Sequence, residues 1–412
     1  MESGELPQVS WIVGPAGYTE HPDYPINYGS WYISQILDTL VSNPEVFSKT
    51  VFIINYDEAD GSFDHIVPPT PPQTPAYGAS TVSIENEIVT DSTPTGPIGL
   101  NSRAPFLAIS PWSKGGYVNS QVFDHTSVIQ FIEKRFGVFE KNITPWRRAV
   151  AGDLTSVFNF LNPNDEPFSL PSTAGYLPPT AQLAGGNVNT FNPTLDTVTL
   201  GIPAQEKGIR PARALPYALD VQGSVNPASG TVTLKFFNTG AAGVVFQVRS
   251  GNPADVVRNY TVEPGKNLAD TWTETSSYDL SVYGPNGFVR YFNGSFGSGA
   301  AVLDVRSDLG SGNGWGSHGD SGSIALTITN LAAKAADVTV LDAYTGCSMT
   351  ELLDPNDNSQ SEFSLEQFFG WYDLIITVSG DPTFQYRLAG HVENGRDSFS
   401  DPAMGGLVTL QG

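Results

Sequence analysis

Five side chains able to bind a cation or move a proton fall within nine positions of the segment NYDEADGSFDHIVPP, residues 55–69: Asp57, Glu58, Asp60, Asp64 and His65. They follow directly on an apolar run, and in open α/β sheets ligands bind beyond the carboxyl ends of the strands. Carboxylates with an imidazole are hard and borderline donors that suit a divalent cation. The competing reading is a solvated acidic turn bent at Gly61. A second cluster is TEHPDYPINYG, residues 19–29, in which His21 precedes a proline and so sits on extended backbone. An imidazole there can exchange a proton near neutral pH, although a lone loop histidine is more often plain surface. In FDHTS, residues 123–127, Asp124 and His125 can form a carboxylate–imidazole pair, or equally cap a helix. Arg103, in NSRAP ahead of a strand, can hold a phosphate through its guanidinium fork, or pair with one of the many acids.

The remaining candidates are weaker. His318 and His391 have no partner pattern around them, and the glycine-rich stretch at 310–317 lacks the strand–loop–helix setting of a phosphate cradle. Cys347 is the single cysteine, which excludes an internal disulfide and CxxC metal sites. Asn142, Asn259 and Asn293 fit the glycosylation pattern, a weak signal.

The elements that must position these residues are legible in outline. GSWYISQILDTLVSNPEVF spaces Trp31, Ile33, Ile36, Leu37 and Leu40 as a helix, which Asn43-Pro44 ends. TVFIIN (50–55) and PFLAIS (105–110) are short continuous apolar runs and predict strands buried on both faces, as in a parallel sheet. DHTSVIQFIEKRFG predicts a helix that starts at the cap-type residues Asp124 and Thr126 and ends at Gly137, with Val128, Ile129, Ile132 and Phe136 as its apolar stripe. Residues 67–104 read as one long loop, and long loops in compact domains are often functional.

Residues 171–210 have the proline, glycine and threonine texture of a linker. Beyond them, short alternating runs between glycine and asparagine turns predict β-sandwich structure. VTLKFFNTGAAGVVFQV from Val232 recurs 92 residues later as IALTITNLAAKAADVTV from Ile324, aligning Asn238 with Asn330. Two tandem copies of one β-domain account for this. Phe236, Phe246 and Tyr278 alternate as core residues do.

The charge balance of 20 basic against 42 acidic residues, net −22, disfavours DNA, RNA and anionic lipid as partners. No segment is apolar for the roughly 18 residues of a transmembrane span, and MESGELPQVSW lacks the basic and apolar regions of a signal peptide.

TEHP, followed by NYGSWYISQILDTLVSNPEVFSKTVFIINYDEADGSFDHIVPP and RAPFLAISPWSKGGYVNSQVFDHTSVIQFIEKRFGV, resembles the second half of the catalytic domain of bacterial phosphocholine-type phospholipases C. These belong to the phosphoesterase, or acid phosphatase-like, superfamily. RPARALPYALDVQG and YDLSVYGPNGF resemble the first of that family's paired C-terminal domains. The resemblance implies an α/β, partly alkaline-phosphatase-like domain followed by two all-β sandwich-like repeats. It places the phosphoesterase half at 1–170, a linker at 171–210, and the repeats at 211–298 and 299–412. It implies hydrolysis of phospholipids such as phosphatidylcholine, a Thr or Ser nucleophile and a divalent metal ion. Asp57 and Glu58 then correspond to the metal-binding and catalytic YDE signature and His21 to an active-site histidine, while Arg103 and His125 stand as candidate substrate contacts on their own residue types. It also implies a secreted or periplasmic protein capable of peripheral membrane contact.

Two departures bear on this. Ala59 stands where the family has asparagine in YDENDG, and the family's ENR-type motif and nucleophile region do not occur here. The latter predicts a chain that starts past the middle of the family's catalytic domain and turns over little substrate alone. The readings from other classes are a non-catalytic protein whose β-domains bind a lipid or glycan surface, and an acid phosphatase.

Overall fold

The computed structural model describes residues 6–21, 24, 26–58, 67–91, 93–176, 206–309 and 322–412. Asp60, Asp64, His65, His318 and most of the expected linker lie outside the described residues. By internal contacts the chain divides into two units. The first comprises Met1–His65, Ser102–Gly115 and Phe158–Gln205; the second comprises Ile66–Asn101, Gly116–Val157 and Glu206–Gly412. In chain order the first elements are α1 (Ile26–Val41), α2 (Pro44–Phe47), β1 (Phe52–Asn55), β2 (Gly78–Ser80), β3 (Ile88–Val89), β4 (Gly96–Pro97), β5 (Phe106–Ile109), α3 (His125–Phe136) and α4 (Pro145–Val150).

In the first unit, α1 ends where the sequence predicts. Asn43 then caps α2, its side-chain oxygen accepting from the Val46 amide at 3.2 Å. Of the expected α1 stripe only Leu40 is fully buried. The strands correct the sequence reading: β1 and β5 form a two-stranded antiparallel pair, Phe52 opposite Ile109 and Asn55 opposite Phe106. They are half-buried, and Leu107 is 48% exposed. The physical reason is that an apolar run records a preference for burial and nothing about strand direction. Pairing with one neighbour leaves positions on each strand open to water.

The second unit holds most of the described secondary structure, and most of that is β. Its repeats run through β6 (Pro211–Ala212), β7 (Leu219–Asn226), β8 (Thr231–Asn238), β9 (Val244–Ser250), β10 (Arg258–Val262), β11 (Lys266–Thr273), β12 (Ser277–Tyr283) and β13 (Val289–Ser295). They continue through β14 (Leu303–Asp308), β15 (Ser323–Asn330), β16 (Ala336–Asp342), β17 (Ser348–Leu353), β18 (Asn358–Ser364), β19 (Trp371–Val378), β20 (Asp381–His391) and β21 (Ser398–Phe399). The strand orders duplicate. β11-β8-β7 in one copy matches β18-β15-β14 in the other, and β10-β9-β12-β13 matches β17-β16-β19-β20. The four-stranded sheets join edge to edge where β13 pairs with β20, Tyr291 opposite Arg387. With β2 added in parallel to β10, a nine-stranded sheet results.

Alternation drives these strands inward: Val232, Leu234 and Phe236 on β8, and Ile324, Leu326 and Ile328 on β15, are buried. Phe236, Phe246 and Tyr278 are core residues, as their spacing predicts. One buried cluster runs through both copies.

The helices of this unit pack on polar contacts as well as apolar ones. Asp124 caps α3 in a reciprocal box with Ser127, and Gly137 ends it at φ 69°. The expected stripe is corrected: Val128 is buried, but Ile129 and Phe136 are exposed, and Ser127, Gln130 and Glu133 face inward instead. Arg148 explains the shift, because its guanidinium takes both Glu133 oxygens, at 2.8 and 2.9 Å. On α4, Trp146 is fully buried, and its Nε1 donates to Thr261 Oγ1 at 2.9 Å.

Candidate functional site

The candidate site is built where β1 ends. Antiparallel pairing sets the start of β5 beside the end of β1, and the Tyr56 amide continues the ladder by donating to the Pro105 carbonyl at 3.3 Å. Asp57 and Glu58, just after Tyr56, and Arg103, two residues before Pro105, therefore leave the strand pair at the same end. A parallel pair would have put Arg103 at the opposite end. All three residues are exposed.

His21 reaches this end through its neighbour. Tyr56 donates its hydroxyl hydrogen to Glu20 Oε2 at 2.6 Å, and Ser30 Oγ, on the first turns of α1, donates to Glu20 Oε1 at 2.7 Å. Burial pushes the Tyr56 phenol up from its ordinary pKa, and the hydrogen bond to the Glu20 carboxylate pushes it further the same way. It stays protonated and a donor. Gly29 is what lets the loop lie against α1: a Cβ there would stand 2.5 Å from Glu20 Cγ and 2.8 Å from the Thr19 carbonyl carbon. The His21 carbonyl accepts from the Tyr24 amide at 2.9 Å, and the ring lies edge-on to Tyr24 with centroids 6.5 Å apart. His21 is exposed.

The FDHTS segment lies in the other unit. Asp124 accepts from the Thr126 amide at 2.8 Å and from Arg147 Nη1 at 2.8 Å, so its geometry is that of a helix cap in an ion pair. His125 opens α3 and is exposed. His391, in the second repeat, lies within 2.8 Å of both Glu393 Oε1 and the Phe369 carbonyl, in keeping with a structural role.

The sequence reading singled out His21, Asp57, Glu58 and Arg103 but passed over Glu20, Ser30, Gly29 and Tyr56, which hold the segments together. A signal was there for two of them. Glu20 and Tyr56 each stand directly before a singled-out residue.

The chemistry open to these groups is that of a phosphoester. A guanidinium matches phosphoryl oxygens through its fork, and an imidazole can protonate a leaving oxygen. Exposure means that ion pairing among them is screened by water. For a divalent cation, no group of three or more His, Cys, Asp or Glu side chains comes together among the described residues. Asp57 and Glu58 supply only part of the donor set such an ion takes, so the described residues do not by themselves fit one.

Residues 1–139 match the phosphoesterase family model. Residues 211–295 and 300–391 each match the model for the bacterial phospholipase C C-terminal domain. The chain is 45% identical to a non-hemolytic phospholipase C of Burkholderia pseudomallei, over 98% of this chain and 57% of the relative. It is 42% identical to a non-hemolytic phospholipase C of Pseudomonas aeruginosa, over 99% of this chain and 60% of the relative. It is 39% identical to a hemolytic phospholipase C of the same organism, over 98% of this chain and 58% of the relative. The chain thus spans less than two thirds of the length of these relatives. By these matches residues 1–139 are a phosphoesterase-family region, and the chain carries the bacterial phospholipase C C-terminal domain twice.

Proposed function

We infer that the protein hydrolyses the phosphoester bond between the phosphorus and the glycerol oxygen of a phospholipid such as phosphatidylcholine, releasing a diacylglycerol and a phosphorylated head group. The observation that carries this reading is the emergence of Asp57, Glu58 and Arg103 at one end of the β1–β5 pair, with His21 tied to that end through Glu20 and Tyr56. The names of the related proteins support the substrate class. In this reading the Arg103 fork holds non-bridging phosphoryl oxygens, and His21 delivers a proton to the departing alkoxide. Asp57 is assigned as the carboxylate on which activity depends, with Glu58 next to it in the chain. A divalent ion at Asp57 and Glu58 would need more donors than the described residues bring together.

The net charge of −22 suits a neutral, zwitterionic lipid surface better than an anionic one. No helix among the described residues is long and apolar enough to cross a membrane. The reading extends to peripheral contact with lipid and to action outside the cytoplasm. It divides the chain into a phosphoesterase part at 1–170, a connecting stretch at 171–210, and β-sandwich domains at 211–298 and 299–412.

The test is release of phosphocholine from phosphatidylcholine vesicles by the purified chain and by Asp57→Ala. A rate that falls at least ~100-fold in the variant supports the reading, as expected for loss of a group that acts on the transition state. Equal rates for the two proteins would remove it and leave the low turnover expected from the missing ENR-type motif.

A further inference from the structure

We propose that Glu20 is a positioning residue of this site, a clamp that fixes the histidine loop against the end of β1. The proposal rests on the phosphoesterase reading above and adds a residue to it. Glu20 has one oxygen in a hydrogen bond with Tyr56 at 2.6 Å and the other in a hydrogen bond with Ser30 at 2.7 Å. One side chain thereby joins three segments: the loop before α1, the first turns of α1, and the residue after β1. Its two ends are covalent neighbours of the two candidate groups. His21 follows Glu20 and Asp57 follows Tyr56, so a 2.6 Å contact limits how far these backbones can separate.

Two further features point the same way. Gly29 spares the loop a Cβ that would stand 2.5 Å from Glu20 Cγ. The Tyr56 amide is itself bonded to the Pro105 carbonyl, so the clamp is anchored to the strand pair that carries Arg103. A carboxylate accepting from two hydroxyls in a partly buried setting is a well-oriented strut, because its bonds are charge-assisted and directional. Outer supports of this kind typically change activity ~10–100-fold when removed. A loop histidine without such a support would sample many positions, and displacement of about 1 Å can cost ~100-fold in rate.

The experiment compares the full chain with Glu20→Ala, Glu20→Gln, Tyr56→Phe and Asp57→Ala. It measures release of phosphocholine from phosphatidylcholine vesicles, and backbone amide exchange by mass spectrometry. Glu20→Ala and Tyr56→Phe are expected to lower kcat ~10–100-fold with KM within about threefold. Glu20→Gln, which keeps an acceptor oxygen for Tyr56, should recover kcat to within about fivefold of the parent. Exchange should speed up in Glu20→Ala at both 19–21 and 56–58. Parental kcat in Tyr56→Phe would overturn the proposal. So would a Glu20→Ala variant with unchanged exchange at 56–58, whatever its rate. If the parent chain is no faster than Asp57→Ala, the functional reading falls instead. Exchange then decides the clamp alone, with faster exchange at both segments upholding it.

Discussion

Asn238 and Asn330 occupy equivalent places in the two repeats and make the same three hydrogen bonds. The Asn238 amide donates to the carbonyls of Ala242 at 2.8 Å and Val262 at 2.9 Å, while its oxygen accepts from the Gly240 amide at 3.0 Å. Asn330 donates to Lys334 at 2.8 Å and Leu353 at 2.9 Å and accepts from Ala332 at 2.9 Å. Both are buried, and both close the turn after the central strand of a three-stranded sheet.

Replacing either asparagine by alanine removes the donor to a carbonyl of a buried residue, Val262 or Leu353, at a cost of about 1–3 kcal/mol. Asn238→Ala and Asn330→Ala are each expected to lose roughly 1–3 kcal/mol in denaturant unfolding, and to match within about 1 kcal/mol. A neutral effect at either position would show that its turn is held by other contacts.

Arg147 is held by two carboxylates. It reaches Glu87 at 3.0 Å and Asp124 at 2.8 Å, and it also donates to the Gly99 carbonyl at 3.1 Å. Glu87 is 1% exposed, so losing the guanidinium would leave a buried charge with the Thr144 hydroxyl as donor but no countercharge. Arg147→Ala is expected to cost ~3–5 kcal/mol of stability. Glu87→Gln, which leaves no buried anion, should cost less. Calorimetry on both variants checks the order, and the reverse order would refute the account.

Glu133 links stability to pH. The Arg148 fork, aided by the Glu140 amide, holds its carboxyl down from an ordinary 4.5 to about 2. A depressed value in the folded state stabilises the fold above about pH 4.5, and that contribution is lost as pH falls toward 2. Melting temperatures from pH 6 to 2 should fall more steeply for the parent than for Glu133→Gln, which cannot titrate there. Parallel curves would exclude the link.

His21, as proton donor, is needed in proportion to the basicity of the leaving group. His21→Asn is expected to lower hydrolysis of phosphatidylcholine ~100–10,000-fold, because an alkoxide must be protonated as it departs. The loss should be at most ~10-fold with p-nitrophenylphosphorylcholine, whose phenolate leaves without a proton. Equal losses on both substrates would assign His21 a role other than acid.

The sequence by itself determined the repeat, the alternation of core positions on β8 and β15, the helix end at Asn43, the cap at Asp124, and the residues Asp57, Glu58, His21 and Arg103 as candidates. These are local: periodicity, capping chemistry and motif composition act over a few residues and leave their mark in order along the chain. Only the tertiary structure decided that β1 and β5 run antiparallel, that Glu133 rather than Ile129 faces inward, and that Glu20 meets Tyr56. Strand direction, ion-pair partners and hydrogen bonds between distant segments depend on which surfaces meet when the chain folds. An apolar run or a lone carboxylate carries no record of its partner. Arg103 shows the consequence: its type was readable in the sequence, but its place at the same end of the strand pair as Asp57 follows from the direction of one strand.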